Sequence, residues 1–380
     1  MLSFSSLQML PLATAQVATQ EPNAAAKVPQ GFKLMGTAPD ALPVLASIAI
    51  PIRNLDLLTS YVQQVSNPSS PMFGHFFTEQ QIAQDFLPTA QYGSMMQYLA
   101  STPLSVQFTA LDSMILVQGT VGQLKEYLGT GINVYSNGTA SYYMASSPTF
   151  RGALLYASNS TSLFAKPAVS PLQSTPANVT FTSGGFPANL LQSVYNATSL
   201  YSRGFNGTGK TIGIMDWFGS PTVASDLKAF DKQFGFADPK FQIIPVGPYD
   251  PNLGAYTGWN VEISLDVEVS HAMAPGANVD LYIANNALTV ADAIAAVVQD
   301  NKVNTLSQSW TLPEWIFSFL PPAAFEFNVL LPDIFYQLGT LRGITFTGST
   351  GDTGGSGYTS GVEGELGYPA SSPYVTAVGG

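Results

Sequence analysis

The sequence predicts an α+β unit followed by an α/β unit built on a parallel sheet. Three observations lead there. Strand-like and helix-like runs are mixed over 40–150. A stretch at 165–190 carries Pro167, Pro171, Pro176 and Pro187 among Ser, Thr and Gly, the composition of a linker. From 191 onward strands alternate with helices, the rhythm of a parallel sheet with helices on both faces. A length of 380 residues suits this division, at roughly 100–200 residues per domain.

Taken in order, Val44–Ile50 is an apolar strand. Leu55, Leu58, Tyr61, Val62 and Val65 fall at helical spacing after Asn54, which predicts an Asn54 N-cap. The turn-rich 67–71 follows. Thr78 with Gln81 three residues on predicts a capping box. Ser105–Ala110 and Met114–Gln118 read as strands, Val121–Leu128 as a helix and Ile132–Tyr135 as a strand. In the second unit, strands are predicted at Lys210–Met215, Val279–Ile283, Val303–Ser309 and Ile344–Gly348. Helices are predicted at 222–235 and at Val290–Val298, the latter capped by Thr289 with Asp292. Ligands of such sheets sit beyond the carboxyl ends of the strands. Asp216, Ser309, Trp310 and Asp352 lie at or just after such ends.

Composition narrows the function. Charged residues make up 10% of the chain, against about 25% in an ordinary soluble domain. Lys and Arg number 13 and Asp and Glu 24, a net charge of −11. So few cations argue against nucleic acid, whose phosphates need Lys and Arg. Low charge fits either a Ser/Thr/Gly/Pro-rich extracellular surface or life in acid. In acid, few cations limit self-repulsion, and few carboxylates limit the stability lost on protonation. With no cysteine, disulfides, Cys-ligated zinc and a Cys nucleophile are impossible. Two histidines, His75 and His271, are too few for a multi-His metal site. Residues 1–27 form a signal-like or disordered start, with Ala13-Thr14-Ala15 suited to cleavage but no basic region before it. No run of 18 clean apolar residues predicts a membrane span. Five sequons, at Asn137, Asn159, Asn178, Asn196 and Asn206, fit a secreted surface.

The segment 258–276, GWNVEISLDVEVSHAMAPG, is the most informative and is ambiguous. Val261, Ile263, Leu265, Val267 and Val269 alternate, which reads as a strand. Glu262 and Asp266 would then stand about 13 Å apart, at ~3.3 Å per residue. In a helix they are i and i+4, with Cβ atoms about 5–6 Å apart. Two carboxylates that close cannot both ionise easily. A solvated helix face is the plain alternative. His271, nine residues beyond Glu262, faces away from it on a helix and reads as structural.

Here the sequence resembles a known family. EISLDVE around Glu262 and Asp266, STGDTG at 349–354, and FTGSTGDTG…YPASSPYVTAVGG over 346–380 resemble the sedolisins, secreted acid serine-carboxyl peptidases that include kumamolisin. RNLDLLTSYVQQVSNPSSPMFGHFFTEQQIAQDFLP at 53–88 resembles their propeptide activation domain. PANLLQSVYN at 187–196 and NGTGKTIGIMDWFG at 206–219 resemble the start of their core. The resemblance implies a subtilisin-like α/β parallel sheet, incomplete at its C-terminus, preceded by an α+β ferredoxin-like propeptide domain. It implies a propeptide over 28–170, a linker with the processing site over 171–190, and the N-terminal part of the peptidase domain over 191–380. Residues 258–272 should then be helical. Glu262 would be the general base, Asp266 its proton-sharing partner, and Asp352 a protonated donor to the oxyanion. Asp216 and Trp310 would extend the acidic network. Ser307, Gln308, Ser309 and Trp310 would edge the substrate cleft. Polypeptide would be the substrate, and the propeptide an intramolecular inhibitor released by acid.

Departures from the family pattern matter. Its nucleophile is the Ser of a Gly-Thr-Ser motif, which these 380 residues lack. Ser349 and Ser360 lie in the Asp352 loop and do not supply it. The family's Ca²⁺ site would use residues beyond 380. The expectation is therefore an incomplete peptidase zymogen, inactive alone. Thr350 and Thr311 replace the usual Ser and Gly beside Asp352 and Trp310. The apolar 312–335 reads as a helix pair over the sheet or as a wall of the cleft. Rival readings are a non-catalytic surface or binding protein on this scaffold, and a two-carboxylate glycosidase using Glu262 and Asp266, whose carboxyls would stand about 5–5.5 Å apart.

Overall fold

The computed structural model describes residues 33–136, 138, 141–159, 170–171, 187–284, 289–314, 322–352 and 367–379. The signal-like start, most of the linker, the sequons at Asn137 and Asn178, and Ser360 lie outside the described residues.

The N-terminal unit comprises β1 (Lys33–Thr37), β2 (Pro43–Ala49), α1 (Leu55–Ser66), α2 (Glu79–Asp85), α3 (Thr89–Ala100), β3 (Ser105–Ala110), β4 (Met114–Thr120), α4 (Val121–Leu128), β5 (Ile132–Ser136), β6 (Ser141–Ala145), β7 (Thr149–Phe150) and β8 (Ala153–Asn159). Its main sheet is antiparallel, in the order β3-β4-β2-β8-β7. β2 is central and reads PVLASIA, and both of its faces are covered. Val44, Ala46 and Ile48 pack with Leu99 of α3 and Leu124 of α4. Leu45 and Ala49 join the core of the C-terminal unit.

Caps set the helix starts. Thr78 and Gln81 form the predicted capping box of α2. Thr120 caps α4, accepting from the Gln123 N–H at 3.3 Å, while the Gln123 side chain accepts from the Thr120 N–H at 2.8 Å. Thr120→Ala should cost about 1 kcal/mol, read by urea denaturation; an unchanged midpoint would contradict the cap. Asn54 differs from expectation. It sits at φ 54° with no side-chain cap, because its amide donates instead to the Asp85 carbonyl at 2.6 Å.

β9 (Ser170–Pro171) lies between the units. The second unit contains α5 (Ala188–Val194), α6 (Thr198–Tyr201), β10 (Thr211–Trp217), α7 (Val223–Phe234), β11 (Phe241–Pro245), α8 (Leu253–Thr257), α9 (Trp259–Met273), β12 (Asn278–Ala284), α10 (Val290–Asp300), β13 (Thr305–Ser307) and β14 (Trp310–Pro313). α11 (Pro322–Phe325), a π-turn at Glu326–Leu330, α12 (Leu331–Leu341), β15 (Thr345–Ser349), β16 (Gly367–Tyr368) and β17 (Thr376–Val378) complete it.

Six strands form a parallel sheet in the order β11-β12-β10-β13-β15-β17. The chain leaves β10 towards β11 on one side, then returns from β12 across β10 to β13 on the other. Right-handed crossovers in opposite directions put α7 and α10 on opposite faces. The reversal at β10 is the switch point where such sheets bind ligands. The apolar run after 312 becomes α11, the π-turn and α12. These cover the sheet beside α10 and bury against the N-terminal unit: Tyr156 meets Phe327 with ring centroids 5.8 Å apart, and the Phe77 N–H donates to Leu341 O at 2.7 Å.

Candidate active site

The ambiguous segment is helical. α9 buries Trp259, Glu262, Ile263, Val267 and His271, the i, i+3/i+4 stripe of a helix. Val261 and Leu265, which the strand reading paired with the core, are 58% and 52% exposed. Glu262 and Asp266 therefore share the inward face, one turn apart. His271 faces elsewhere: its Nε2 lies 3.2 Å from Asp231 Oδ1 of α7, both side chains fully buried.

The carboxyl ends of the sheet complete the group. Asp216, penultimate in β10, is fully buried, and neither of its carboxyl oxygens has a hydrogen-bond partner among the described residues. Asp352 is exposed just beyond β15. Burial is the main force on all three inner carboxyls. It lifts Glu262 to about 8, with Asp266 and then Asp352 adding like-charge repulsion. It lifts Asp266 to about 6, against a Ser309 hydrogen bond that favours the anion. It lifts Asp216 well above the carboxylate range, helped by repulsion from Asp266 and Glu262. These couplings place the four predicted carboxyls in one electrostatic cluster.

Trp310 is fully buried and meets Trp217 edge-to-face at 6.1 Å. Ser309 reaches Asp266. Gln308 departs from the expected cleft edge. Its amide donates to Thr347 O at 3.2 Å and its carbonyl accepts from Tyr336 Oη at 2.8 Å, so its side chain braces the sheet from within. β14 itself is already paired, antiparallel with Gly367–Tyr368 at one register and with Ser170–Pro171 at Trp310–Thr311. Sequence reasoning missed that last pairing, since two residues carry no strand signal. Among the described residues no group of three or more His, Cys, Asp or Glu could hold a metal ion.

Residues 30–150 match the family model "Pro-kumamolisin, activation domain". Kumamolisin from Bacillus sp. (strain MN-32) is 31% identical over 185 residues, covering 47% of this chain and 32% of kumamolisin. Sedolisin from Pseudomonas sp. (strain 101) is 24% identical over 356 residues, covering 88% of this chain and 59% of sedolisin.

The chain is similar to the sedolisins over most of its length.

A solved structure titled Pseudomonas sedolisin, a serine-carboxyl proteinase complexed with two molecules of pseudo-iodotyrostatin, aligns at TM-score 0.40 and 26% identity, over 47% of this chain and 51% of that one. The chain spans about a third of kumamolisin and three-fifths of sedolisin. Its N-terminal unit is similar to the activation domain of that family over residues 30–150. Its parallel six-stranded sheet is the α/β unit that the sequence predicts.

Proposed function

We propose that the chain is the zymogen form of a secreted acid serine-carboxyl endopeptidase, and that it carries the carboxylate half of the site. The observation that carries this reading is the packing of Glu262, Asp266, Asp216 and Asp352 at the switch point of the sheet. Glu262 would take the proton of a serine hydroxyl as that oxygen attacks a peptide carbonyl. Asp266 would share the proton and hold Glu262 in place. Asp352, as the neutral acid, would donate a hydrogen bond to the oxyanion of the tetrahedral intermediate. Collapse would release the amine and leave an acyl-enzyme for water to hydrolyse. The serine would lie outside these 380 residues, and so would any Ca²⁺ ligands. Low charge supports work in acid and secretion.

The closed state supports latency. Glu262 holds its proton up to about pH 8, so in acid it is not yet a base. Ser170–Pro171 lies along Trp310–Thr311, where an extended substrate would add a strand.

The test is an assay on denatured protein at pH 2–5, using the product of the reading frame carried past codon 380. Glu262→Gln, Asp266→Asn and Asp352→Asn should each lower kcat by about 10²–10⁴, and the 380-residue chain alone should be inactive. Undiminished activity in all three variants would overturn the site. A frame that continues without a serine in this role would favour a binding protein on the same scaffold.

A further inference from the structure

The chain leaves the parallel sheet between Ser307, where β13 ends, and Trp310, where β14 begins. Residues 308 and 309 lie between strands, and Gln308 supplies the hold there. Its carbonyl accepts from the Ser349 N–H at 3.1 Å and from Ser349 Oγ at 3.4 Å. Its side-chain oxygen accepts from Tyr336 Oη at 2.8 Å, and its side-chain nitrogen donates to Thr347 O at 3.2 Å. Gln308 is 1% exposed and Tyr336 is fully buried. Tyr336 is fixed in turn by Phe346, with ring centroids 4.8 Å apart, and by Tyr368 at 6.4 Å.

The two faces of the sheet meet at this point. α9 packs with α7 on one face, and α12 packs with α10 on the other. Side chains alternate along an extended chain. Gln308 reaches Tyr336 of α12, and the next residue, Ser309, reaches Asp266 of α9. Ser349, bonded to the Gln308 carbonyl, ends β15 three residues before Asp352. Gln308 thus joins the strand end that carries Ser309 to the strand end that leads to Asp352. An apolar pair could fill the same space, because replacing both partners of a buried hydrogen bond by apolar groups of the same shape is nearly neutral. What the hydrogen bonds add over such a pair is a fixed direction.

We propose that Gln308, locked by Tyr336, is a positioning residue that holds Ser309 against Asp266 from the opposite face of the sheet. Its effect on catalysis rests on the peptidase reading; its hold on Ser309 does not. The Ser309 bond favours the anion of Asp266, against burial. Asp216 and Glu262, the ionisable groups that act with Asp266, are untouched by the variants that test the lock.

Carboxyl ¹³C titration of Asp266 in the 380-residue chain is the test, with the resonance assigned by Asp266→Asn. Tyr336→Phe removes one hydroxyl and keeps the ring. Ser309 then loses its fixed place, and Asp266 loses a donor that favours its anion. The Asp266 midpoint should rise by about one unit, a tenfold gain in proton affinity. Gln308→Met, similar in length and without the amide, should raise it equally; it carries the test if Tyr336→Phe does not fold. The double variant should raise it no further, because the two residues act as one lock. Thr120→Ala, which removes the distant cap of α4, should leave the midpoint in place. In the product of the frame carried past codon 380, both single variants should lower kcat about tenfold with KM little changed. If that product has no peptidase activity while the midpoint still shifts, the proposed function fails and the positioning role stands. An Asp266 midpoint equal to the parent's in the single variants, one moved equally by Thr120→Ala, or an unchanged kcat in an active product would overturn the proposal.

Discussion

The chain should be several kcal/mol more stable at pH 5 than at pH 9. In the folded state Glu262 holds its proton up to about 8 and Asp266 up to about 6. In an unfolded chain both let go near the ordinary carboxylate values of about 4. The folded state therefore binds more protons over this window, and stability falls as pH rises. The contribution is complete below about pH 4, declines through 6, and is exhausted beyond 8. Each tenfold change in proton affinity is worth ~1.4 kcal/mol, so Glu262 alone accounts for roughly 4 kcal/mol. Asp216, fully buried with both oxygens unpartnered, acts in the same direction. Urea denaturation across pH 5–9 measures the slope. Glu262→Gln, a neutral isostere, should flatten most of it above pH 6. A Glu262→Gln chain that keeps the parent slope would mean that Glu262 is not held neutral by burial.

This direction also gives the scarcity of charge a structural meaning. Most proteins lose stability in acid because paired carboxylates must be protonated. Here the buried carboxyls at the site are raised by burial and do not rely on cationic partners. With 13 Lys and Arg in the chain, few such partners exist. The fold keeps these buried carboxyls as acids by withholding water and not by pairing them.

Local signals were legible where one residue decides the outcome. Thr78–Gln81 and Thr289–Asp292 announced helix starts because a cap is a short-range hydrogen bond. The apolar VLASIAI announced a strand, although not that two different cores would cover its faces. Long-range geometry was less readable. Alternation in 261–269 pointed to a strand, and the helix won because Trp259, Ile263 and Val267 had a core to enter while Val261 and Leu265 could stay wet. Asn54 looks like a cap but is drawn off by the Asp85 carbonyl, 31 residues away. Gln308 sits in a run that resembles a cleft edge, yet Tyr336 and Thr347 claim its amide. For the carboxyl cluster, spacing supplied Glu262 and Asp266. Asp216 and Asp352 stood out at strand ends, but only the family resemblance joined them to that pair, because no spacing rule links the ends of two different strands to one helix.

Replacing Gly254 with alanine should be severe, although helix propensity argues the reverse. Gly254 lies in α8, where alanine is favoured over glycine by ~1 kcal/mol in a helix interior. A Cβ there would lie 1.6 Å from the Gly219 carbonyl oxygen, 2.9 Å from its carbon and 3.2 Å from the Asn260 nitrogen. All three are backbone atoms, so no rotamer change relieves the clash. The Gly219 side is already constrained. Phe218 is held at φ 67° and Gly219 at φ 98°, and the Phe218 N–H donates to Ala284 O at 2.6 Å. A non-glycine residue at positive φ is strained and persists only where its surroundings enforce it. The turn cannot retreat without moving the end of β10, which carries Asp216 and Trp217. Gly254→Ala should thus cost roughly 3 kcal/mol or more, in the range of overpacking at a site that cannot relax. It should also disturb the Trp217–Trp310 contact. Thermal denaturation reads the first effect, and near-ultraviolet circular dichroism of the buried tryptophans reads the second. A Gly254→Ala chain as stable as the parent, with the same aromatic signal, would show that α8 does not press on the turn that sets Asp216.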